Sequence, residues 1–278
     1  MKGLLPYLLL LILTPCIFAQ ERMLNESILD ERKSQIGSLA PSIEKSEAVE
    51  WARKKNLPIR RIRPDGGVME IRRIGRMGRP EYLSTHNINA AKTLSSLTTS
   101  LDYHLYGDSI VMGIWDGGII RHTHREFSNR GRIMNAQAEI SGHSTHVAGT
   151  IGAGAYQAEA VGMARAILLE SYDWDNDLLE MEEAAAAGLL LSNHSYGFIN
   201  GFDYNYEEKR WEWYGIPEVS EEEDYYFGYY HPDAREYDQI AHKHPYYLIV
   251  KSAGNDRGEG PASGTPFYIW DEDKWVLS

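Results

Sequence analysis

The apolar positions along the chain fall into blocks with different periods. Leu4 to Leu13 is a short continuous apolar segment behind Lys2. From Gln20 to about Ala40 the chain is polar, mixed in charge and weakly periodic, which predicts a flexible lead-in. Ser42 to Asn56 reads as a helix. Ser42 is a suitable cap, Glu44 falls in the first turn, and Ile43, Ala48, Trp51 and Ala52 share a face. Leu57-Pro58 ends it. Ile59 to Arg63 and Val68 to Arg72 then read as strands joined through Pro64-Asp65-Gly66-Gly67, a hairpin signal. Ser42 to about Arg76 is thus a small α+β unit, and Tyr82 to Leu97 a polar linker.

The pattern changes at Ile110. Ile110 to Trp115, Ala166 to Ser171, Leu189 to Ser192 and Tyr246 to Ser252 are short apolar runs. Between them, Thr145 to Gly154 and Leu178 to Ala187 have helical composition. Strands alternating with helices predict a parallel sheet with helices on its faces. Such sheets bind ligands outside the carboxyl ends of their strands. Asp116, Ser195 and Asn255 fall at or just beyond such ends. Gly201 to Tyr237 is a long insertion with tryptophans and tyrosines among clustered acids, including Glu221-Glu222-Glu223-Asp224. A packed surface loop is the default reading, and a specificity loop or a calcium site are the others.

Composition narrows the class. The chain has 278 residues, 43% of them hydrophobic, enough for one sizeable core and a small accessory region. Its formal net charge of -12 argues against nucleic acid, because nothing supplies a phosphate-neutralising stripe. Residues 1–19 have the form of a secretory signal, with Ala19-Gln20 as the cleavage point. Its apolar run is too short to span a bilayer, and no other stretch is long enough. A secreted or periplasmic location follows. Cys16, the single cysteine, lies inside this signal, so a chain cut after Ala19 has neither thiol nor disulfide. A lipid-modified Cys16 is the competing reading, and Pro15 fits it poorly.

Three residue types then appear in a telling order: Asp116 after an apolar run, His143 in Gly142-His143-Ser144-Thr145-His146-Val147-Ala148-Gly149-Thr150, and Asn255 after Lys251-Ser252-Ala253-Gly254. Each has an ordinary alternative. Asp116-Gly117 and Asn255-Asp256 suit turns, and His143 could hold a structural hydrogen bond at a helix start. His122, His124, His143 and His146 lack matched carboxylate or cysteine partners at metal-ligand spacing, so no metal site is assigned.

Taken together, these segments resemble the subtilisin-like (subtilase) serine peptidases over roughly Ser109 to Asn255. Gly113-Ile114-Trp115-Asp116-Gly117-Gly118 is similar to that family's aspartate motif, with Trp115 where a smaller residue is usual. Thr123-His124-Arg125-Glu126-Phe127 fits the segment after it. The His143 segment is similar to the histidine motif, departing at Ser144, where glycine is typical. Val161-Gly162-Met163-Ala164 matches the following turn, Ser192 to Gly197 the cleft-lining strand, and Lys251 to Asn255 the oxyanion motif. The resemblance implies a subtilisin-like α/β fold with helices on both faces of a parallel sheet. It implies His143 as general base, Asp116 as its orienting acid and Asn255 as oxyanion donor. Ser195, Tyr196 and Gly197 would bind a polypeptide substrate as an added strand. No cofactor is required; structural calcium is possible, with no ligand set identified and the acids near Glu221 only weak candidates.

The family's nucleophile sits in a Gly-Thr-Ser motif at a helix start, and nothing here matches it. Ser263-Gly264-Thr265-Pro266 places the serine before the glycine and too close to Asn255, and Ser278 is the final residue. The expected organisation is therefore a signal over 1–19, a propeptide-like region and linker over 20–100, and a peptidase domain over 101–278 that stops short of its serine. The amino-terminal region would act as intramolecular inhibitor and folding aid. The chain alone is expected to be an inactive part of a secreted endopeptidase. The rivals are a non-catalytic secreted binding protein with the same fold, and a metal-dependent hydrolase using His122, His124 and His143.

Overall fold

A computed structural model describes residues 41–75, 78–85, 104–220, 223–256, 258–271 and 274–278, with only the backbone given for 41–44 and 159. The signal segment with Cys16, most of the predicted linker, and Glu221 and Glu222 lie outside the described residues.

Five strands form a parallel sheet: β4 (Val111–Asp116), β5 (Gly131–Ile133), β6 (Leu168–Asp173), β7 (Leu191–His194) and β11 (Leu248–Lys251), in the order β11-β7-β4-β6-β5. β4 is central and covered on both faces, which is why its sequence is apolar throughout rather than alternating. Its side chains still divide by parity. Ile114 points to a cluster with Ile120, Phe127, Ala148, Ile167 and Leu169, covered by the helix Gly142–Gly152. Trp115 points the other way, into a cluster with Tyr172, Leu178, Met181 and Ile240. That face is covered by the helices Asp177–Ala186 and Pro232–Lys243. In chain order the helices are α1 (Pro41–Lys55), α2 (Gly142–Gly152), α3 (Asp177–Ala186) and α4 (Pro232–Lys243). The architecture is mixed α/β with helices on both faces of a parallel sheet, as the alternation predicts.

The amino-terminal unit is larger than its sequence suggests. β1 (Arg60–Ile62), β2 (Val68–Ile74) and β3 (Pro80–Ser84) pair antiparallel beneath α1. β3 corrects the reading of Tyr82 as the start of a linker: Tyr82, Leu83, Ser84 and Thr85 are all buried. Five residues with two polar members carry too little alternation to mark a strand. Burial of Ala48, Ala52, Met69, Ile71 and Tyr82 holds the unit together. β3 then pairs antiparallel with β8 (Gly197–Phe198), so its sheet continues into the larger body.

The insertion also departs from the default of an irregular loop. β9 (Phe202–Asn205) and β10 (Arg210–Trp213) form a hairpin, and β12 (Tyr268–Asp271) and β13 (Lys274–Leu277) complete a sheet in the order β13-β12-β10-β9. Aromatic contacts such as Phe202 against Trp213, centroids 4.7 Å apart, fill it. α4 begins inside the predicted insertion, with Pro232 in its first turn and His231 Nδ1 accepting from Asp233 N. Among the described residues no helix is long and apolar enough to cross a membrane.

Candidate active site

Asp116 ends β4 and is fully buried. His143 is the second residue of α2, whose start is fixed by Ser141 Oγ accepting from Ser144 N. The strand end and the helix start bring the two side chains into contact. His143 Nδ1 lies 2.8 Å from Asp116 Oδ1 and 2.9 Å from Oδ2. Gly117 N also donates to Asp116 Oδ1, at 2.8 Å. A carboxylate on Nδ1 places that ring proton between them and leaves Nε2 as the basic nitrogen. The sequence-predicted acid and base are therefore joined.

Ser144 does not disturb this geometry. Its hydroxyl donates to Gly118 O, tying the helix start to the loop that follows Asp116. Gly118 itself has φ +117, and a Cβ there would fall 2.6 Å from Glu139 O. Trp115 is accommodated by stacking: its ring lies 4.0 Å from Tyr172 and 5.2 Å from His194, and its Nε1 donates to Glu180.

The other predicted residues lie along the same edge of the sheet. Register pairs Trp115 and Lys251 with His194, so the segments following β4, β7 and β11 leave at one level. Ser195 follows β7 directly and its Oγ accepts from Asn193. Tyr196 turns its ring inward: its hydroxyl donates to Asp177 Oδ2 at 2.7 Å, and its carbonyl accepts from Lys251 Nζ at 3.0 Å. Gly197 and Phe198 are already paired with Ser84 and Leu83. Asn255 is exposed in the bend beyond β11.

Several nearby groups are committed elsewhere. Burial, then Lys251, lowers the His194 pKa well below its ordinary value, and this neutral ring bonds Tyr196 and Ser192. It is a core histidine. Ser141 Oγ caps α2 by accepting from Ser144 N, and Ser192 Oγ lies 2.9 Å from His194 Nε2. His124 Nδ1 accepts from Glu126 N. Among the described residues no three His, Cys, Asp or Glu side chains meet in a group suited to a metal ion.

Charge surrounds the site in layers. Asp173 stands opposite Asp116 in register. Burial, then Asp175, raises its carboxyl to about 7, against the opposing effect of Lys45. On the other side, a cavity of about 560 Å³ runs beside β8, between the amino-terminal unit, α3, α4 and the aromatic segment Tyr226–Tyr229. Arg72 and Arg73, which the sequence marks only as strand residues, enter this region from β2. Arg72 donates to Trp174 O, Asp175 O and Asp177 Oδ1. Arg73 donates to Glu81 and Asp233, and its Nη2 lies 2.8 Å from His231 Nε2. Burial pushes the Asp233 carboxyl up, but His231 and Arg73 outweigh it and hold it at about 2. No known protein family matches the chain, and no curated relative is detected.

Proposed function

We propose that this chain carries the acid–base half of a serine endopeptidase site of the subtilisin type. The observation that supports this most is the buried Asp116–His143 contact at the carboxyl edge of a parallel sheet, one strand from a segment that already holds an extended peptide. His143 Nε2 would take a proton from a hydroxyl nucleophile and return it to the leaving amine. Asp116 would hold the tautomer and stabilise the imidazolium. Asn255 would donate to the tetrahedral oxyanion. The substrate would be a polypeptide added as a strand along Gly197–Phe198.

Residues 41–85 would be the intramolecular inhibitor. β3 lies where that substrate strand would pair, which supports the assignment. The signal-like first 19 residues fit export. No serine of the chain matches the Gly-Thr-Ser pattern at a helix start, so the chain alone should show no serine-dependent hydrolysis.

Reading the coding region past Ser278 tests the proposal. A Gly-Thr-Ser segment at a helix start, and a full product that cleaves casein and loses that activity with His143→Ala, are the expected results. A stop codon after Ser278 with a stable exported product, or cleavage unaffected by His143→Ala, overturns it in favour of a binding protein. Specific fluorophosphonate labelling of a serine in the present chain would also count against it.

A further inference from the structure

The amino-terminal unit and the body carry opposite charge. Residues 41–85 hold eleven Lys and Arg against six Asp and Glu, a formal charge of +5, while residues 86–278 carry −17. The contact between them is built from that difference. Arg63 meets Asp203 at 2.8 Å, Arg79 meets Glu218 at 3.2 Å, and Arg72 and Arg73 reach the amino ends of α3 and α4.

The Arg72 and Arg73 positions are the most specific of these. Arg72 spends its planar fork on two carbonyls and one carboxylate, a pattern an ammonium group cannot reproduce. Asp177 is fixed to receive it, because its second oxygen is held by the hydroxyls of Tyr196 and Tyr237. Arg73 lies over the Phe198 ring at 5.0 Å while donating to Asp233. Tyr196, Phe198, Tyr237, Asp177 and Asp233 all line the adjoining cavity. Without the two arginines, Asp177 would keep Tyr196, Tyr237 and Leu178 N, and Asp233 would keep His231, but each carboxylate would lose its guanidinium partner beside aromatic walls. Two further cations line the cavity: Lys251 is engaged by the carbonyl and ring of Tyr196, and Arg79 donates to Gly215 O and Glu218.

We propose that Asp177 and Asp233, together with the Phe198 ring, form a docking site for adjacent arginine side chains of a polypeptide, filled in this structure by the chain's own Arg72 and Arg73. The inference deepens the inhibitor reading: once the amino-terminal unit leaves, the body presents this site to arginine-bearing polypeptides beside the substrate strand.

The test uses the full chain with Arg72→Ala and Arg73→Ala together, and the acetylated, amidated dipeptide Arg-Arg as probe. The dipeptide should raise the melting temperature of this variant saturably, by several degrees. Lys-Lys of equal charge should give less than a third of that rise. Adding Asp177→Asn and Asp233→Asn should abolish it, and the native chain, already filled, should not respond. An equal response to Lys-Lys, or none to Arg-Arg, overturns the proposal. If the double variant melts without cooperativity, Arg73→Ala alone with ethylguanidinium against ethylammonium decides in the same way: selective recovery by ethylguanidinium supports the site, and equal or absent recovery overturns it. No serine chemistry enters these measurements, so they fail independently of the peptidase reading.

Discussion

Both carboxylate oxygens of Asp116 sit within 2.9 Å of His143 Nδ1, and neither residue is reached freely by solvent. A buried charge-assisted hydrogen bond of this kind contributes about 1.5–3 kcal/mol. Asp116→Asn would present an amide where an acceptor is needed and favour the opposite tautomer. Nitrogen chemical shifts of His143 should show the ring proton on Nδ1 in the native chain and moved to Nε2 in the variant. Stability should fall by about 1–3 kcal/mol.

Gly118→Ala tests the loop that carries Asp116 past α2. The positive φ and the 2.6 Å approach to Glu139 O leave no room for a methyl group. The expected cost is about 2–4 kcal/mol, seen as a lowered denaturation midpoint with an unchanged denaturant slope. An unchanged midpoint would mean that the loop can move without penalty.

Two carboxyls give stability opposite pH trends. Asp173 binds its proton more tightly folded than unfolded, so its contribution worsens as pH rises from about 4 to about 7. Asp173→Asn should therefore gain on the native chain across that interval, by roughly 1–3 kcal/mol at pH 8. Asp233 is the reverse case: its stabilisation is complete above about pH 4 and is lost as pH falls toward 2. Asp233→Asn should cost about 1–2 kcal/mol at neutral pH and flatten the acid limb of the curve. Denaturant titrations at several pH values read both.

Leu83 joins the unit to the body twice, through the backbone of β3 and through burial beside Tyr196. Leu83→Ala should cost about 2–4 kcal/mol. It should also speed amide exchange in β3 and β8 more than in β4. Equal acceleration everywhere would show that the two parts open as one cooperative unit.

The sheet and the Asp116–His143 contact were legible because their signals are local. β4 is a continuous apolar run ending in Asp116, and His143 lies one residue into a helix whose cap precedes it. Other parts depend on partners far away in sequence. β3 is defined by pairing with β2 and β8, the latter more than 100 residues on, and its own five residues carry no clear period. α4 hides in a stretch dense with tyrosine and acid, where its few apolar positions do not stand out. Arg72 and Arg73 read as no more than the polar end of a strand until Asp177 and Asp233 are placed against them. Tyr196 shows the same limit. Nothing in its neighbourhood along the sequence announces that its carbonyl is held by Lys251 and that its hydroxyl serves Asp177.

Trp115 gives the molecule a built-in optical reporter. Its indole is sandwiched by Tyr172 and His194, bonded to Glu180, and one residue from Asp116. Indole emission responds to the rings packed against it and to the charge on its hydrogen-bond partner, here His194, Tyr172 and Glu180. Any event that tilts the end of β4 or repositions His194 will therefore change the fluorescence of a residue adjacent to Asp116, without an added dye.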